Sequence, residues 1–217
     1  MAGPVKTSTE LKELLIIFIK NPELGKVKTR LAADIGNEGA LRVYRQLLLQ
    51  TFETTQNLPF EKWVYCSDII DSHYFWETGY SKKLQKGNDL GERILNAFSE
   101  AFDAGFERVC IIGSDCFELT SDNLKSAFSA FNQHSFVIGP AKDGGYYLLG
   151  MNEFEKRVFL NKNWSTSEVG KQTINDFELL NRPYHVLPEL SDIDTLDDLE
   201  SFPELKALAE NTDSHID

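Results

Sequence analysis

An apolar run at residues 109–112 ends abruptly at Gly113-Ser114-Asp115. A short uninterrupted run of this kind predicts a strand that is buried on both faces, as in a parallel sheet covered by helices. The turn that follows brings the Asp115 carboxylate to the carboxyl end of the strand, which is where open α/β sheets bind ligands. We therefore predict that Asp115 acts on a bound metal or substrate. The alternative is that it caps the helix that begins near Ser121.

Apolar runs alternate with helical spacings along the chain. The predicted strands lie at residues 14–19, 63–66, 109–112, 136–140, 146–150 and 183–187. The predicted helices lie at about residues 37–56, 72–77, 87–104, 121–132 and 168–180, with shorter ones that begin near residues 29 and 195. This alternation predicts the α/β class, as a single three-layer α/β/α domain with a mostly parallel, doubly wound sheet. We expect the domain at residues 14–208, between a tail at residues 1–13 and an acidic tail at residues 209–217.

The length of 217 residues suits one α/β domain with a substantial core. The aliphatic run at residues 14–19 is too short to span a bilayer, and no signal-peptidase site follows it, so we expect a cytoplasmic protein without membrane insertion. The three cysteines lack CxxC spacing, so the sequence supports neither a disulfide framework nor a zinc site. We expect these cysteines to be free and buried.

The formal net charge of −12 is unevenly distributed. Residues 189–217 carry ten acids against the single Lys206. Such an acidic surface disfavours nucleic acid as a partner, because phosphate backbones require a basic surface.

Residues 20–30 have the opposite charge: they carry four basic residues against one acid. A strand, a loop that contains Gly25 and a short helix capped by Thr29 follow one another here. The amides of a helix N-terminus bind anions, and nearby basic side chains add charge, so this segment predicts a phosphate site. The alternative is a solvated basic loop.

Two further segments suggest ligand contacts. Gly87 and Gly91 flank a helix start, where they would permit close approach of a ligand to the backbone. Asp143 opens an Asp-Gly-Gly turn, so it is either a site residue or simply a turn former. Near the C-terminus, Thr195 and Asp198 form the pattern of a capping box.

Five motifs occur in a characteristic order: Phe18-x-Lys20-x-Pro22-x-x-Gly25-x-Val27-Lys28-Thr29-Arg30-Leu31, Asp89-Leu90-Gly91-Glu92-Arg93, Gly113-Ser114-Asp115-Cys116, Asp143-Gly144-Gly145-Tyr146-Tyr147 and Asp192-Ile193-Asp194-Thr195. This order resembles the GT-A fold of the nucleotide-diphospho-sugar transferase superfamily. More closely, residues 14–199 resemble the radical-SAM/selenodomain-associated glycosyltransferases. The element at residues 28–31 is also similar to one in phospholactate guanylyltransferases, which are nucleotidyltransferases.

The resemblance implies a divalent metal. In such relatives a carboxylate after a central strand and an Asp of the C-terminal motif share the ion, and these positions match Asp115 and Asp194. We therefore expect Mg²⁺ or Mn²⁺ there, with Asp192 as the alternative to Asp194. The relatives usually have Pro after Asp-Cys where this chain has Phe117, so packing must hold that turn here.

The resemblance also implies roles for the other motif residues. The nucleotide-binding candidates are Lys20, Gly25, Lys28, Thr29, Arg30, Asp89, Gly91, Arg93 and Ser114. Lys28 and Asp143 are the catalytic candidates, with Asp143 positioned near a ribose or acceptor hydroxyl. Because two carboxylates repel each other without a cation, we expect Asp115→Asn or Asp194→Asn to leave the metal-free fold at least as stable.

The favoured activity is metal-dependent nucleotidyl transfer from an NTP to a small acceptor, because a pyrophosphate leaving group needs the cationic segment at residues 20–30. Glycosyl transfer from a nucleotide sugar is the alternative. A nucleotide-binding module without catalysis is a second alternative. A shared fold does not decide between these functions.

Overall fold

A central sheet organises the structure, a computed structural model that describes residues 11–69 and 76–210. Its strands are β1 (Glu13–Ile19), β2 (Glu61–Cys66), β3 (Ser81–Leu84), β4 (Arg108–Ile112), β5 (Phe136–Pro140), β6 (Tyr146–Met151) and β7 (Tyr184–Val186). The helices are α1 (Thr29–Thr55), α2 (Leu90–Asp103), α3 (Ser121–Ala130), α4 (Val169–Leu179), α5 (Leu196–Glu200) and α6 (Pro203–Glu210). A short 3₁₀ helix lies at Lys156–Phe159.

The strands are ordered β3-β2-β1-β4-β6-β5-β7. All neighbours pair in parallel except β6, which runs antiparallel to both β4 and β5. From β1 the sheet extends in both directions, so the strand order reverses between β1 and β4. The carboxyl ends on either side of such a reversal open a crevice for ligands. The predicted fold class is confirmed.

The apolar run of β1 is buried on both faces, as its sequence predicts. Leu15 and Ile17 belong to the core cluster that includes Tyr44 of α1 and residues of α3. Leu14 and Ile16 belong to the cluster on the opposite face, which is built with α2 and α4. Because successive strand residues point to opposite faces, one unbroken apolar run supplies both cores of the three-layer domain.

The helix start after β1 differs in detail from the prediction. The predicted cap at Thr29 is wrong, because α1 begins at Thr29 and the capping position is Lys28, in a left-handed conformation with φ 48°. The expected boundary between a short helix and a long one exists as a break inside α1, at Gly36 (φ 76°, ψ 161°). Glycine tolerates this positive φ without steric cost.

Three segments lie beyond what the sequence patterns predicted. Strand β3 was not predicted, since its Ser-Lys-Lys-Leu sequence has no apolar run and it pairs with β2 alone. The helix expected at residues 72–77 falls mostly on residues 70–75, outside the described part of the chain, and Glu77 is not helical. Helix α6 extends to Glu210, two residues beyond the expected domain boundary. Most of both predicted tails also falls outside the described residues.

Helix α6 closes a third cluster at one end of α1. Arg42 of α1 donates hydrogen bonds to the carbonyls of Leu208 and Ala209. Phe117 packs edge-on against Phe202, with ring centroids 5.5 Å apart, which is the packing expected where relatives have Pro.

The three cysteines are buried and free, as predicted. No helix within residues 11–69 and 76–210 is long and apolar enough to cross a membrane.

Candidate active site

A cleft of about 550 Å³ opens at the carboxyl ends of β1 and β4. The predicted site residues that line it are Lys20, Arg30, Ser114, Asp115 and Asp143, together with Asp192. The sheet explains this convergence, since parallel strands deliver their following loops to one edge. Strand β6 runs the other way, so its first residues reach the same edge.

Tyr44 of α1 links the ends of β1 and β4 through hydrogen bonds. Its hydroxyl accepts a hydrogen bond from the Lys20 amide (2.8 Å) and donates one to the Lys20 carbonyl (3.0 Å). The same oxygen lies 3.3 Å from Oγ of Ser114. Burial, with a smaller contribution from the charge of Asp115, raises the pKa of Tyr44, so the hydroxyl stays neutral. The position of Ser114 is therefore fixed by α1.

Lys28 and Asp115 form an ion pair, with 2.8 Å between Nζ and Oδ1. The Lys28 side chain is only 4% exposed, whereas that of Asp115 is 46% exposed. Lys28 itself does not line the cleft. A buried ammonium requires a partner, so Asp115 both balances Lys28 and presents its other oxygen to the cleft. The left-handed backbone of Lys28 is unusual for a side chain of this size and is typical of residues held in place at functional sites.

The chain after β7 brings further carboxylates beside Asp115. The amide of Ile193 donates to the carbonyl of Asp115 (2.9 Å), and the Ile193 side chain is fully buried. Asp192 lines the cleft. Asp194 does not, and its carboxylate pairs with the guanidinium of Arg30.

The charge around Asp192 is not balanced. Burial, followed by the charges of Asp115 and Asp143, raises the pKa of Asp192 from 3.8 to about 7, against a smaller lowering by Lys28. Excess negative charge of this kind is favourable for a cation, and carboxylate oxygens are ligands that Mg²⁺ prefers. Within the described residues, no group of three or more His, Cys, Asp or Glu side chains has the geometry of a metal site. Asp115 and Asp192, which both line the cleft, could together hold an ion such as Mg²⁺, which takes one or two carboxylates and completes its shell with waters and phosphates.

The candidates at the start of α2 are used within their own segment. Asp89 caps α2 by accepting a hydrogen bond from the Glu92 amide (2.8 Å), and Nε of Arg93 donates to the Gly87 carbonyl (3.1 Å). A Cβ at Gly91 would lie 2.0 Å from the Trp164 indole nitrogen. The candidates that do not line the cleft are Gly25, Thr29, Asp89, Gly91 and Arg93.

Asp143 is both a turn former and a cleft residue. Its Oδ1 accepts a hydrogen bond from the Gly145 amide (2.8 Å). Gly144 has φ 88°, and a Cβ there would lie 2.1 Å from the Ser167 carbonyl oxygen. The Gly170 amide donates to the Gly144 carbonyl (3.0 Å). The turn therefore rests directly on the chain that enters α4.

Residues 50–166 match the family described as "Uncharacterized protein conserved in bacteria (DUF2064)". The chain belongs to this family. The match covers the motifs at residues 89–93, 113–116 and 143–147, and leaves out the basic segment and the 192–195 motif. A search of curated proteins finds no match to this DUF2064 member.

Solved structures extend the comparison. A protein from Desulfovibrio desulfuricans G20, provisionally assigned as a nucleotide-diphospho-sugar transferase, is 29% identical, with a TM-score of 0.83 over 94% of this chain and 90% of its own. The 4-diphosphocytidyl-2C-methyl-D-erythritol synthase of Anaerococcus prevotii DSM 20548 is 12% identical, with a TM-score of 0.56 over 90% and 96% of the two chains. A cytidylyltransferase of Leptospira borgpetersenii serovar Hardjo-bovis (strain JB197) is 14% identical, with a TM-score of 0.52 over 95% and 100%. The two latter likenesses show the fold alone. The likeness to the Desulfovibrio desulfuricans protein confirms the predicted superfamily and the prediction of a transferase.

Several cleft residues of this DUF2064 member carried no sequence signal for a site: Tyr44, Gln85, Trp164, Ser165, Thr166 and Ser167. Gln85 follows β3, and its Nε2 donates to the carbonyls of Ile19 and Tyr65, both at 3.0 Å. It therefore closes the cleft where β1 and β2 end. Only an alignment of relatives or the fold itself brings such residues to notice.

Proposed function

We propose that this protein is a nucleotidyltransferase, which moves a nucleoside monophosphate from an NTP to a small acceptor with the help of Mg²⁺ or Mn²⁺. One observation carries the proposal: basic side chains of residues 20–30 and carboxylates from three other segments lie at one cleft on the ligand-binding edge of the sheet. A nucleotide that reacts at a phosphate needs this combination of cations and metal-binding oxygens.

The phosphate end of the cleft is assigned to the basic segment. Lys20 and Arg30 line the cleft, and the Arg30 side chain is 71% exposed and able to reach a ligand. Arg30 would bind phosphate oxygens through two donors, and Lys20 would act as a point charge. The negative charge that develops on a departing pyrophosphate favours this cationic wall.

The metal is assigned to Asp115 and to one of the two acids that flank Ile193. Asp192 is the better candidate, because it lines the cleft with unbalanced charge. Asp194 would then orient Arg30, with which it is paired. Bound Mg²⁺ or Mn²⁺ would neutralise phosphate oxygens as negative charge develops on them. Lys28 would hold Asp115 in place.

Asp143 is assigned to the acceptor. Its Oδ1 is fixed by the Gly145 amide, which leaves Oδ2 to accept a hydrogen bond from the acceptor hydroxyl. As the acceptor oxygen bonds to the α-phosphorus, the bond to the bridging oxygen of the β-phosphate breaks. Pyrophosphate leaves, and the hydroxyl proton passes to Asp143.

Glycosyl transfer from a nucleotide sugar is the second candidate. The relative at 29% identity, provisionally assigned as a nucleotide-diphospho-sugar transferase, favours it. Asp143 would then act as the base that activates the acceptor, and a nucleoside diphosphate would leave instead of pyrophosphate.

The two candidates release different products. We expect pyrophosphate when the protein is incubated with Mg²⁺, one of the NTPs and a panel of sugars, polyols, hydroxy acids and their phosphates. Release of a nucleoside diphosphate from nucleotide sugars, without pyrophosphate from any NTP, would instead establish glycosyl transfer.

Variants connect the product to the cleft. Arg30→Ala and Lys20→Ala should each weaken NTP binding about tenfold or more, since a hydrogen bond to a charged group is worth about 1.5–3 kcal/mol. Lys26→Ala is the matched control, because Lys26 lies in the same loop but pairs with Glu23 and does not line the cleft. Thermal shifts induced by NTP and Mg²⁺ measure binding: a ligand at 100 times its Kd stabilises by about 2.7 kcal/mol. Equal shifts in all three variants would exclude the basic segment from the site.

A further inference from the structure

The charge of the cleft differs from one side to the other. Among its described lining residues the only basic ones are Lys20 and Arg30, both contributed by the chain between β1 and the first turn of α1. Strand β4 separates β1 from β6, so the cleft-facing end of β6 lies about 10 Å from that of β1. At the β6 end the one charged side chain of the turn that faces the cleft is an acid, Asp143.

Tyr146, the first residue of β6, carries an unused hydrogen-bonding group. It lines the cleft, and its hydroxyl is buried with no hydrogen-bond partner among the described residues. Such a hydroxyl forfeits the bonds that it makes in water, and a ligand group recovers them when a small rotation of the side chain brings the hydroxyl to the cleft surface. A phenol both donates and accepts, which suits another hydroxyl as partner.

The loop before α4 supplies further hydroxyls. Ser165, Thr166 and Ser167 line the cleft. Thr166 donates its hydroxyl to the Asn163 carbonyl (2.7 Å). The hydroxyls of Ser165 and Ser167 have no partner within residues 11–69 and 76–210, and both residues are exposed. This loop packs on the Asp143 turn through Gly144. The serine hydroxyls and the free carboxylate oxygen of Asp143 therefore belong to one wall of the cleft.

An aromatic ring completes that wall. Trp164 is half-buried, lines the cleft and lies against the backbone of Gly91. The face of an indole packs on C–H groups, while carboxylate and hydroxyl oxygens bind O–H groups. A sugar or polyol presents both kinds of group. A phosphate or carboxylate would face Asp143, and no described residue of this wall that lines the cleft is basic, since Lys142 of the same turn is outside the lining.

We propose that this part of the cleft, formed by Asp143, Tyr146, Trp164, Ser165 and Ser167, binds an uncharged polyhydroxylated group and not a phosphorylated or carboxylated one. The inference rests on the proposed function only in naming that group the acceptor. Its binding does not depend on turnover.

Direct binding tests the chemical class. Saturation-transfer NMR would compare methyl α-glucoside and sorbitol with glucose 6-phosphate and glycerate, in the presence of NTP and Mg²⁺ and in their absence. We expect saturation transfer from at least one neutral probe, and weaker or no transfer from the charged ones. Tighter binding of either charged probe than of both neutral ones overturns the inference, as does the absence of binding by both neutral probes.

One variant should change the affinities for neutral and charged probes in opposite directions. Asp143→Asn should weaken a neutral probe, because an amide is a poorer acceptor than a carboxylate, but would tighten a charged probe by removing repulsion. Tyr146→Phe should weaken the neutral probe about tenfold and leave the protein at least as stable. Tyr184→Phe is its control, since that hydroxyl bonds Glu178 and lies outside the cleft. A Tyr146→Phe protein with unchanged probe affinity would show that the unpaired hydroxyl is only structural.

Nucleotide binding is measured separately, by the thermal shift with NTP and Mg²⁺. If a neutral probe binds and no NTP does, the proposed function fails and this inference stands. If NTP binds and only charged probes bind in its presence, the inference fails and the proposed function stands.

Discussion

Two acidic regions of this protein, one formed by residues 87–93 and the other by residues 113–115 with 192–194, use their charges differently. At residues 87–93 each charged side chain bonds within the segment: Asp89 caps α2, Glu92 bonds Asn88, and Arg93 bonds the Gly87 carbonyl. At residues 113–115 and 192–194 the carboxylates meet across the fold, and the charge of Asp192 is not balanced. Charges that are satisfied locally build the helix start, whereas charges left over at a cleft mark the site.

The strongest test of this contrast is the pH dependence of stability. The pKa of Asp192 is raised from 3.8 to about 7, mainly by burial. A carboxyl with a raised folded-state pKa contributes stability below about pH 4, and that stability is lost as the pH rises through about 7. Relative to wild type, Asp192→Asn should therefore gain about 2–3 kcal/mol between pH 5 and pH 8, at about 1.4 kcal/mol per pH unit. Urea unfolding at both pH values measures this gain.

Asp115→Asn should change the stability in the opposite direction in the same experiment. Because the Lys28 side chain is buried against Asp115, the neutral variant leaves an ammonium without its partner and should be less stable than wild type. The expectation that neutralising Asp115 costs no stability is therefore revised, and it applies to Asp192 instead. A pH-independent difference between Asp192→Asn and wild type would show that the two segments are equally balanced.

Gly91 tests the structural segment. Alanine normally stabilises a helix relative to glycine, but the added Cβ would overlap the Trp164 ring. We expect Gly91→Ala to lose about 1–3 kcal/mol in urea unfolding. Gly113→Ala is the control, because no atom lies within 4 Å of its added Cβ. Equal stability of both variants would mean that Trp164 is free to move away from α2.

The smallest expected effect is at the α2 cap. Asp89→Ala should cost about 1 kcal/mol and leave the NTP-induced thermal shift unchanged, because the carboxylate caps α2 and does not line the cleft. Thr120→Ala, which removes the cap of α3, should cost a similar amount. A loss of nucleotide affinity specific to Asp89→Ala would return Asp89 to the nucleotide site, as the motif resemblance implies.

Sequence patterns predicted the strands that are buried on both faces. Strands β1 and β4 were predictable because an unbroken apolar run must be covered on both faces. Strand β3 was not, because a half-exposed edge strand needs no apolar residues on its open side. Asp115 and Asp143 were also predictable as site candidates, since each is adjacent to a strand end at the ligand-binding edge.

The rest of the site depends on long-range contacts. Which of Asp192 and Asp194 enters the cleft depends on the bond between Ile193 and Asp115, and the Arg30 pair holds the other acid. The roles of Tyr146 and Trp164 depend on packing between segments far apart in the chain. Local periodicity contains no information about such contacts, so it cannot distinguish a core aromatic residue from a cleft aromatic residue.

The reversed direction of β6 affects how readily a site of this kind can diversify. Loops that follow β1 and β4 lead into α1 and α3, which both cover one face of the sheet, so a change in either loop disturbs that layer. The turn at residues 141–145 joins two neighbouring antiparallel strands and leads into no helix, although it also contacts Leu190 and the entry to α4. One contiguous hairpin tip can therefore be exchanged as a unit while the parallel strands and their helices keep their connections. Under the proposed function, replacing a few adjacent residues of this tip would change the acceptor, provided that a glycine still meets the entry to α4.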